Sequence, residues 1–279
     1  MNLAATFSIL LCVVGATFSD QNAQSFRVAT FNVNYDNAAT EEIVDAIRSS
    51  KADIVCIQET SKRSYAVLKE RLSEVYAHRE TVGEFSFASG FELQELQYHE
   101  SERCYSAVVT LGKRRIRIIN THLSPVIVPE NPTLIGLLKA LSENDERNRA
   151  EMASILEHIN ASLPTVIVGD FNSVSVSKAP GILRESGFVD SYATIHENAD
   201  SNITWDWRKM RKLEPDFTKD KLKFADFARD LPIGLRVDYI FHTKQFRTIS
   251  SEIIAGGGSD HRLVVSELKL DEPSHARAN

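Results

Sequence analysis

The 279-residue chain is 43% hydrophobic and 25% charged, an ordinary globular composition that excludes disorder and collagen-like repetition. With 32 Lys and Arg against 38 Asp and Glu, the formal net charge is −6. No global basic field is available for nucleic acid or an anionic membrane, so any such contact must be local.

Residues 3–16 are apolar except for Thr6, Ser8 and Gly15, too short for a bilayer span and suited to the core of a signal peptide. Thr17 with Ser19, or Ala23 with Ser25, supplies small residues for cleavage, although no Lys or Arg precedes the core. The expectation is a signal peptide over residues 1–25 and a secreted or periplasmic protein. One domain over residues 26–270 and a disordered tail over 271–279 complete the division. Cys56 and Cys104 each lie in an apolar run and read as buried free thiols; no cysteine spacing resembles a zinc site.

Residues 26–33 read as a strand and 40–49 as a helix with Ile43, Val44 and Ile47 on one face. Residues 53–58 form a second strand, apolar enough to be central, with Glu59 at its end. A helix over 61–75 follows, with Leu68 and Leu72 paired. Residues 104–111 and 114–122 are strands joined by the hairpin signal Gly112-Lys113, and alternation places Asn120 and His122 on the face of Ile116 and Ile118. Residues 126–141 carry a strongly apolar run, read as a helix covering a sheet edge in preference to a membrane-touching loop. Residues 143–161 form an amphipathic helix with Met152, Ile155, Leu156 and Ile159 inward. Strands over 164–168, 235–242, 247–254 and 262–270 complete the set. Helices interrupt strands early and hairpin-linked strands recur, which points to two packed sheets with helices outside.

Strand ends carry an unusual polar set: Asn32, Glu59, His122, Asp170 with Asn172, Asp238, and Asp260 with His261. Each alone passes for a turn or loop residue. Together they repeat one pattern, an apolar strand ending in a carboxylate, amide or imidazole without a neighbouring base. If the ends meet, Glu59, Asp170, Asp238 and Asp260 gather negative charge that a cation must balance. All-oxygen donors favour Mg²⁺, with Mn²⁺ or Ca²⁺ as alternatives, over zinc.

The motifs Thr30-Phe31-Asn32-Val33, Ile57-Gln58-Glu59, Asn120-Thr121-His122-Leu123, Gly169-Asp170-Phe171-Asn172, Arg236-Val237-Asp238-Tyr239-Ile240 and Ser259-Asp260-His261 resemble, in order, those of the endonuclease/exonuclease/phosphatase superfamily. The resemblance implies the DNase I-like fold, a four-layer α/β/β/α sandwich of two mixed sheets packed face to face with outer helices. It implies Glu59 as principal metal ligand, assisted by Asn32 and Asp260, and His261 as general base oriented by Asp238. Asp170 would orient the attacking water, while Asn172 and His122 would donate to phosphate oxygens. A carboxylate supports the equivalent of His122 in related deoxyribonucleases; Glu92, Glu95, Glu100 and Glu102 are the candidates. The family's Asp two positions after the first motif's Asn is Asn34 here.

The reaction so implied is metal-assisted hydrolysis of a phosphodiester substrate by water, with nucleic acid ahead of a phospholipid head group or a phosphomonoester. No obligate protein partner is evident, and a monomer is expected. A non-catalytic binder on the same scaffold would be expected to lack part of this set. Residues 205–224 mix Arg208, Lys209, Arg211 and Lys212 with Trp205, Trp207 and Phe217, suited to a nucleic-acid strand or a lipid surface. Thr204-Trp205-Asp206 resembles a short motif of the tyrosyl-DNA phosphodiesterase branch. His78, His99 and His158 read as surface histidines.

Overall fold

The computed structural model describes residues 25–35, 40–127, 133–159, 162–206, 209 and 234–271. The expected leader up to residue 24, all but three residues of the 205–224 segment, and the tail from 272 lie outside the described residues, whereas Ser25 already belongs to the first strand. The first sheet contains β1 (Ser25–Asn32), β2 (Ile54–Gln58), β3 (His78–Val82), β4 (Phe85–Ser89), β11 (Phe246–Ile254) and β12 (Leu263–Leu270), ordered β11-β12-β1-β2-β4-β3. The second contains β5 (Gln94–His99), β6 (Cys104–Leu111), β7 (Arg114–His122), β8 (Thr165–Asp170), β9 (Val189–Asp190) and β10 (Asp238–His242), ordered β5-β6-β7-β8-β10-β9.

Three apolar layers join these parts. Phe26, Val28, Cys56 and Phe87 meet Ala107, Ile118, Val168 and Ile240 between the sheets. Helices α1 (Thr40–Ser50) and α2 (Lys62–Arg71) bring Ile43, Ile47, Leu68 and Leu72 to the outer face of the first sheet. Helices α3 (Leu134–Glu157) and α4 (Lys178–Glu185) bring Met152, Ile155 and Leu183 to that of the second, and a short α5 (Ser191–Ile195) follows β9. The result is the expected four-layer α/β/β/α sandwich. Each buried Leu, Ile or Phe contributes about 1.5–3 kcal/mol of transfer free energy, so the sheets are held together chiefly by this interior. Cys56 and Cys104 are free and buried, as expected.

Several elements differ from expectation. The edge strands β3 and β5 and the buried β4 (FSFAS) are additions to the expected set; the edge sequences HRETV and QELQYH are polar and half-buried to exposed, so they carry no apolar pattern. Helix α3 is continuous from Leu134, where the Thr133 hydroxyl accepts from the Gly136 amide. The apolar run before position 143 does not cover a sheet edge: Ile127, Ile135, Leu138 and Leu141 are exposed, Ile135 by 79%. Asp238 opens a strand instead of closing one.

The topology itself gathers the polar residues. Each sheet contains one parallel pair, β1 with β2 and β7 with β8, pairing Asn32 with Gln58 and His122 with Asp170. Four carboxyl ends therefore point the same way. Antiparallel β10 starts beside the end of β8, with Asp238 opposite Asp170, and β12 starts beside the end of β1.

Candidate active site

Asn32, buried at the end of β1, donates from Nδ2 to Glu59 Oε1 and to Asp170 Oδ2, both at 3.0 Å. Its side-chain Oδ1 accepts from the Asn34 backbone N–H at 3.0 Å, so Asn32 serves the two carboxylates as a hydrogen-bond donor. Glu59 sits just past β2 with φ 57°, and Asn34 and Asn172 also have positive φ. A non-glycine residue in this region costs about 1–3 kcal/mol and persists only where surroundings enforce it. Here the enforced conformation turns Glu59 toward Asn32, and its Oε2 accepts from the Tyr35 amide at 3.3 Å.

Asp170 is the hub. Its Oδ2 lies 3.6 Å from His261 Nε2 and 3.7 Å from His122 Nε2, while its Oδ1 accepts from the Asn172 amide at 2.8 Å. Each imidazole is backed by its own carboxylate: His261 Nδ1 is 2.9 Å from Asp238 Oδ2, and His122 Nδ1 is 3.1 Å from Glu84 Oε2. Both dyads bridge the sheets. His261 precedes β12 in the first sheet and takes Asp238 from the second, whereas His122 of the second takes Glu84 from the turn before β4. Glu84 replaces all four sequence candidates. Among those, Glu95 pairs with Arg115, Glu102 with Ser101 and His158, and Glu92 accepts from Gln94. Arg103 completes the support, donating to Glu84 Oε1 at 2.8 Å and to the His122 carbonyl at 2.6 Å.

Asp260 Oδ1 accepts from Asn34 Nδ2 at 3.1 Å, and Asp260 Oδ2 from Trp205 Nε1 at 3.0 Å. Ser259 Oγ fastens this loop to the Asn32 carbonyl at 2.8 Å. Asn172 spends one amide hydrogen on the Leu123 carbonyl at 2.9 Å, leaving the other for a ligand. All eight residues singled out in the sequence thus belong to one connected network. Sequence reading missed Glu84 and Arg103, and it understated Thr204 and Trp205. The Thr204 hydroxyl accepts the Val237 and Asp238 amides at 2.9 and 3.0 Å, and the Trp205 ring lies 6.3 Å from that of His261. Beneath the site, Gln58 donates to Asn120 Oδ1 at 2.6 Å, and Asn120 donates to the Ile57 and Ser86 carbonyls, stitching the sheets with fully buried polar groups.

A model of the Endonuclease/Exonuclease/phosphatase family matches residues 29–261. The chain belongs to this family. No curated protein sequence matches it. Among solved structures, the endonuclease/exonuclease/phosphatase from Bacteroides vulgatus superposes with a TM-score of 0.65 at 19% identity, covering 89% of this chain and 100% of the other. Truncated Caenorhabditis elegans TDP2 gives 0.61 at 15%, covering 88% and 97%. An AP endonuclease from Archaeoglobus fulgidus gives 0.58 at 19%, covering 86% and 98%. At these identities the likeness establishes the DNase I-like fold.

Members of the endonuclease/exonuclease/phosphatase family are metal-dependent phosphoesterases, and the donor set here fits an oxygen-preferring dication. Glu59 Oε1 and Asp170 Oδ2 share the Asn32 amide, which puts them within about 6 Å of each other, where like charges oppose each other's ionisation. Burial raises the Glu59 carboxyl pKa, with Asp170 adding to the rise and His122, Asn32 and His261 opposing it. Such a carboxylate gains from a nearby cation. Burial works against charge on His261, yet Asp238 and Asp170 outweigh it and raise its pKa well above the ordinary imidazole range. His122 is raised the same way by Glu84, Asp170 and Glu59 against its burial. The four carboxylates named from the sequence, together with Glu84, outnumber the nearby bases, a surplus that a divalent ion would offset.

Removing the Glu84 charge separates orientation from binding. Glu84→Gln should lower kcat about 10–100-fold with KM little changed, because His122 loses the partner that fixes its ring while phosphate-contacting groups remain. Steady-state kinetics on a chromogenic phosphodiester decide this; an unchanged kcat would show that Glu84 does not position His122.

Proposed function

We propose that the chain is an exported, Mg²⁺-dependent phosphodiesterase acting on nucleic acid. The observation that carries the reading is the pair of carboxylate-backed imidazoles facing each other across Asp170. That arrangement suits in-line displacement at phosphorus, which needs a base on one side and a proton donor on the other. His261, oriented by Asp238, takes the proton of the attacking water in its neutral form, which the charge of a bound dication near Asp170 would favour, and Asp170 orients that water. His122, held by Glu84 and Arg103, donates to a phosphate oxygen or to the departing oxygen, and Asn172 donates its remaining amide hydrogen to a non-bridging oxygen. Glu59 would hold the metal with Asp260 and Asn32 nearby, and the bound ion would supply charge neutralisation at the phosphate.

The nucleic-acid preference rests on the described start of the basic and aromatic segment, where Trp205 lies beside His261 and Lys209 Nζ is 3.4 Å from the Ser259 carbonyl. A second reading, a lipid phosphodiesterase, is favoured by the exposed Ile127, Ile135, Leu138 and Leu141. Purified protein given Mg²⁺ and plasmid DNA, RNA, sphingomyelin vesicles or a chromogenic phosphodiester separates these readings. DNA or RNA cleavage that stops with chelator and returns with Mg²⁺ is expected. Turnover of vesicles alone selects the lipid reading, and no turnover on any of the four rejects the phosphodiesterase assignment. Export is tested by the N-terminal sequence of protein recovered outside the cytoplasm, which should begin near residue 20 or 26.

A further inference from the structure

His99 ends β5, Glu102 lies in the turn leading into β6, and His158 caps the carboxyl end of α3. The fold brings these three together on the outer flank of the second sheet. The imidazoles of His99 and His158 stack with centroids 4.6 Å apart and planes 16° from parallel. His158 Nε2 is 3.6 Å from Glu102 Oε1, too far for a hydrogen bond, and one ligand atom from each residue lies within 4.8 Å of the others. Glu102 is held in place, with Oε2 accepting from Ser101 Oγ at 2.7 Å and Oε1 from Ser154 Oγ at 3.3 Å.

We infer that His99, Glu102 and His158 form a second metal site, for a first-row transition dication of the Zn²⁺ class. In its neutral form each imidazole offers one nitrogen lone pair. Once a ring turns out of the stack so that each in-plane lone pair meets one centre, two imidazoles and a carboxylate form a donor set that zinc accepts at about 2.0–2.2 Å with a position left for water. Mg²⁺ prefers oxygen, so the two sites sort metals by donor chemistry. The surroundings favour a cation: Glu100 and Glu157 flank the cluster in sequence, and the last turn of α3 contains no base, leaving its terminal carbonyl dipole without a countercharge there. A metal here would pin the β5–β6 turn to α3. That turn also carries Arg103, which grips Glu84 and the His122 backbone, so the clamp adjoins the catalytic support without sharing a ligand with it. This inference does not depend on the catalytic reading.

The test uses the full chain, stripped with chelator, returned to millimolar Mg²⁺ and titrated with Zn²⁺ against a zinc-binding chromophore. One tightly held zinc equivalent should remain in excess Mg²⁺. His158→Ala and His99→Ala should each weaken it at least tenfold, and Glu59→Gln should leave it in place. His158 is exposed, so its variant is expected to fold normally, which circular dichroism checks. The inference is overturned if wild-type protein takes up no zinc in the presence of Mg²⁺, if folded His158→Ala binds zinc as wild type does, or if Glu59→Gln abolishes the binding.

Discussion

Replacing His261 by Asn should reduce kcat/KM by about 10³-fold or more while leaving the protein folded, because it removes the proposed general base and keeps a donor toward Asp238. The companion His261→Ala variant should lose the same activity and in addition be less stable by about 3 kcal/mol at pH 7.5, measured in chelator. In the native site the Asp238 carboxylate is buried and 2.9 Å from His261 Nδ1, and deleting one partner of a buried pair leaves the other uncompensated. The pH dependence identifies the cause. Burial raises the folded pKa of Asp238 against the pull of His261, and an acid so raised binds its proton more tightly folded than unfolded. Stability associated with it is therefore present at low pH and lost as pH rises above the unfolded value, near 3.9, through the folded pKa. The gap between the Ala and Asn variants should accordingly be smaller at pH 5 than at pH 7.5. Full activity in the Asn variant would remove His261 from the role of base.

Gly169→Ala should be strongly damaging to both fold and site. Gly169 has φ 149°, and a Cβ there would stand 1.8 Å from the Thr121 carbonyl oxygen. Thr121 is its partner in the parallel β7–β8 register, one step before the His122–Asp170 pair. The methyl must push the two strands apart or twist the backbone, and both distort the hub carboxylate. Steric overlap with backbone and an unfavourable φ together cost about 3–5 kcal/mol, which for a chain of this size lowers Tm by about 6 °C or more. Differential scanning calorimetry and activity should fall together. A variant with wild-type Tm would mean that the close approach of β7 and β8 is not required.

The two dyads show why reading the sequence succeeded unevenly. His261 and Asp238 were legible because each sits in a recognisable motif. Glu84 was not, because it lies in the turn between the polar edge strand β3 and the buried β4, outside any recognised motif, and it reaches His122 only through the packing of one sheet on the other. Glu92, Glu95, Glu100 and Glu102 all lie nearer to His122 along the chain, whereas its partner stands 38 positions away across the sheet interface. His158 is exposed and His99 half-buried, in keeping with their reading as surface residues, and only the packing of α3 beside β5 brings them together with Glu102.

Residue order by itself determined the alternation that placed β6 and β7 at Cys104–Leu111 and Arg114–His122, the apolar faces of α1 and α3, and the family motifs. These are local matters, set by side-chain period and turn chemistry within a few residues. Tertiary structure alone decided that the two parallel pairs point their carboxyl ends the same way, that each imidazole takes its acid from the opposite sheet, and that the apolar start of α3 faces outward. Such contacts depend on strand order and sheet packing, which bring together residues far apart in the chain.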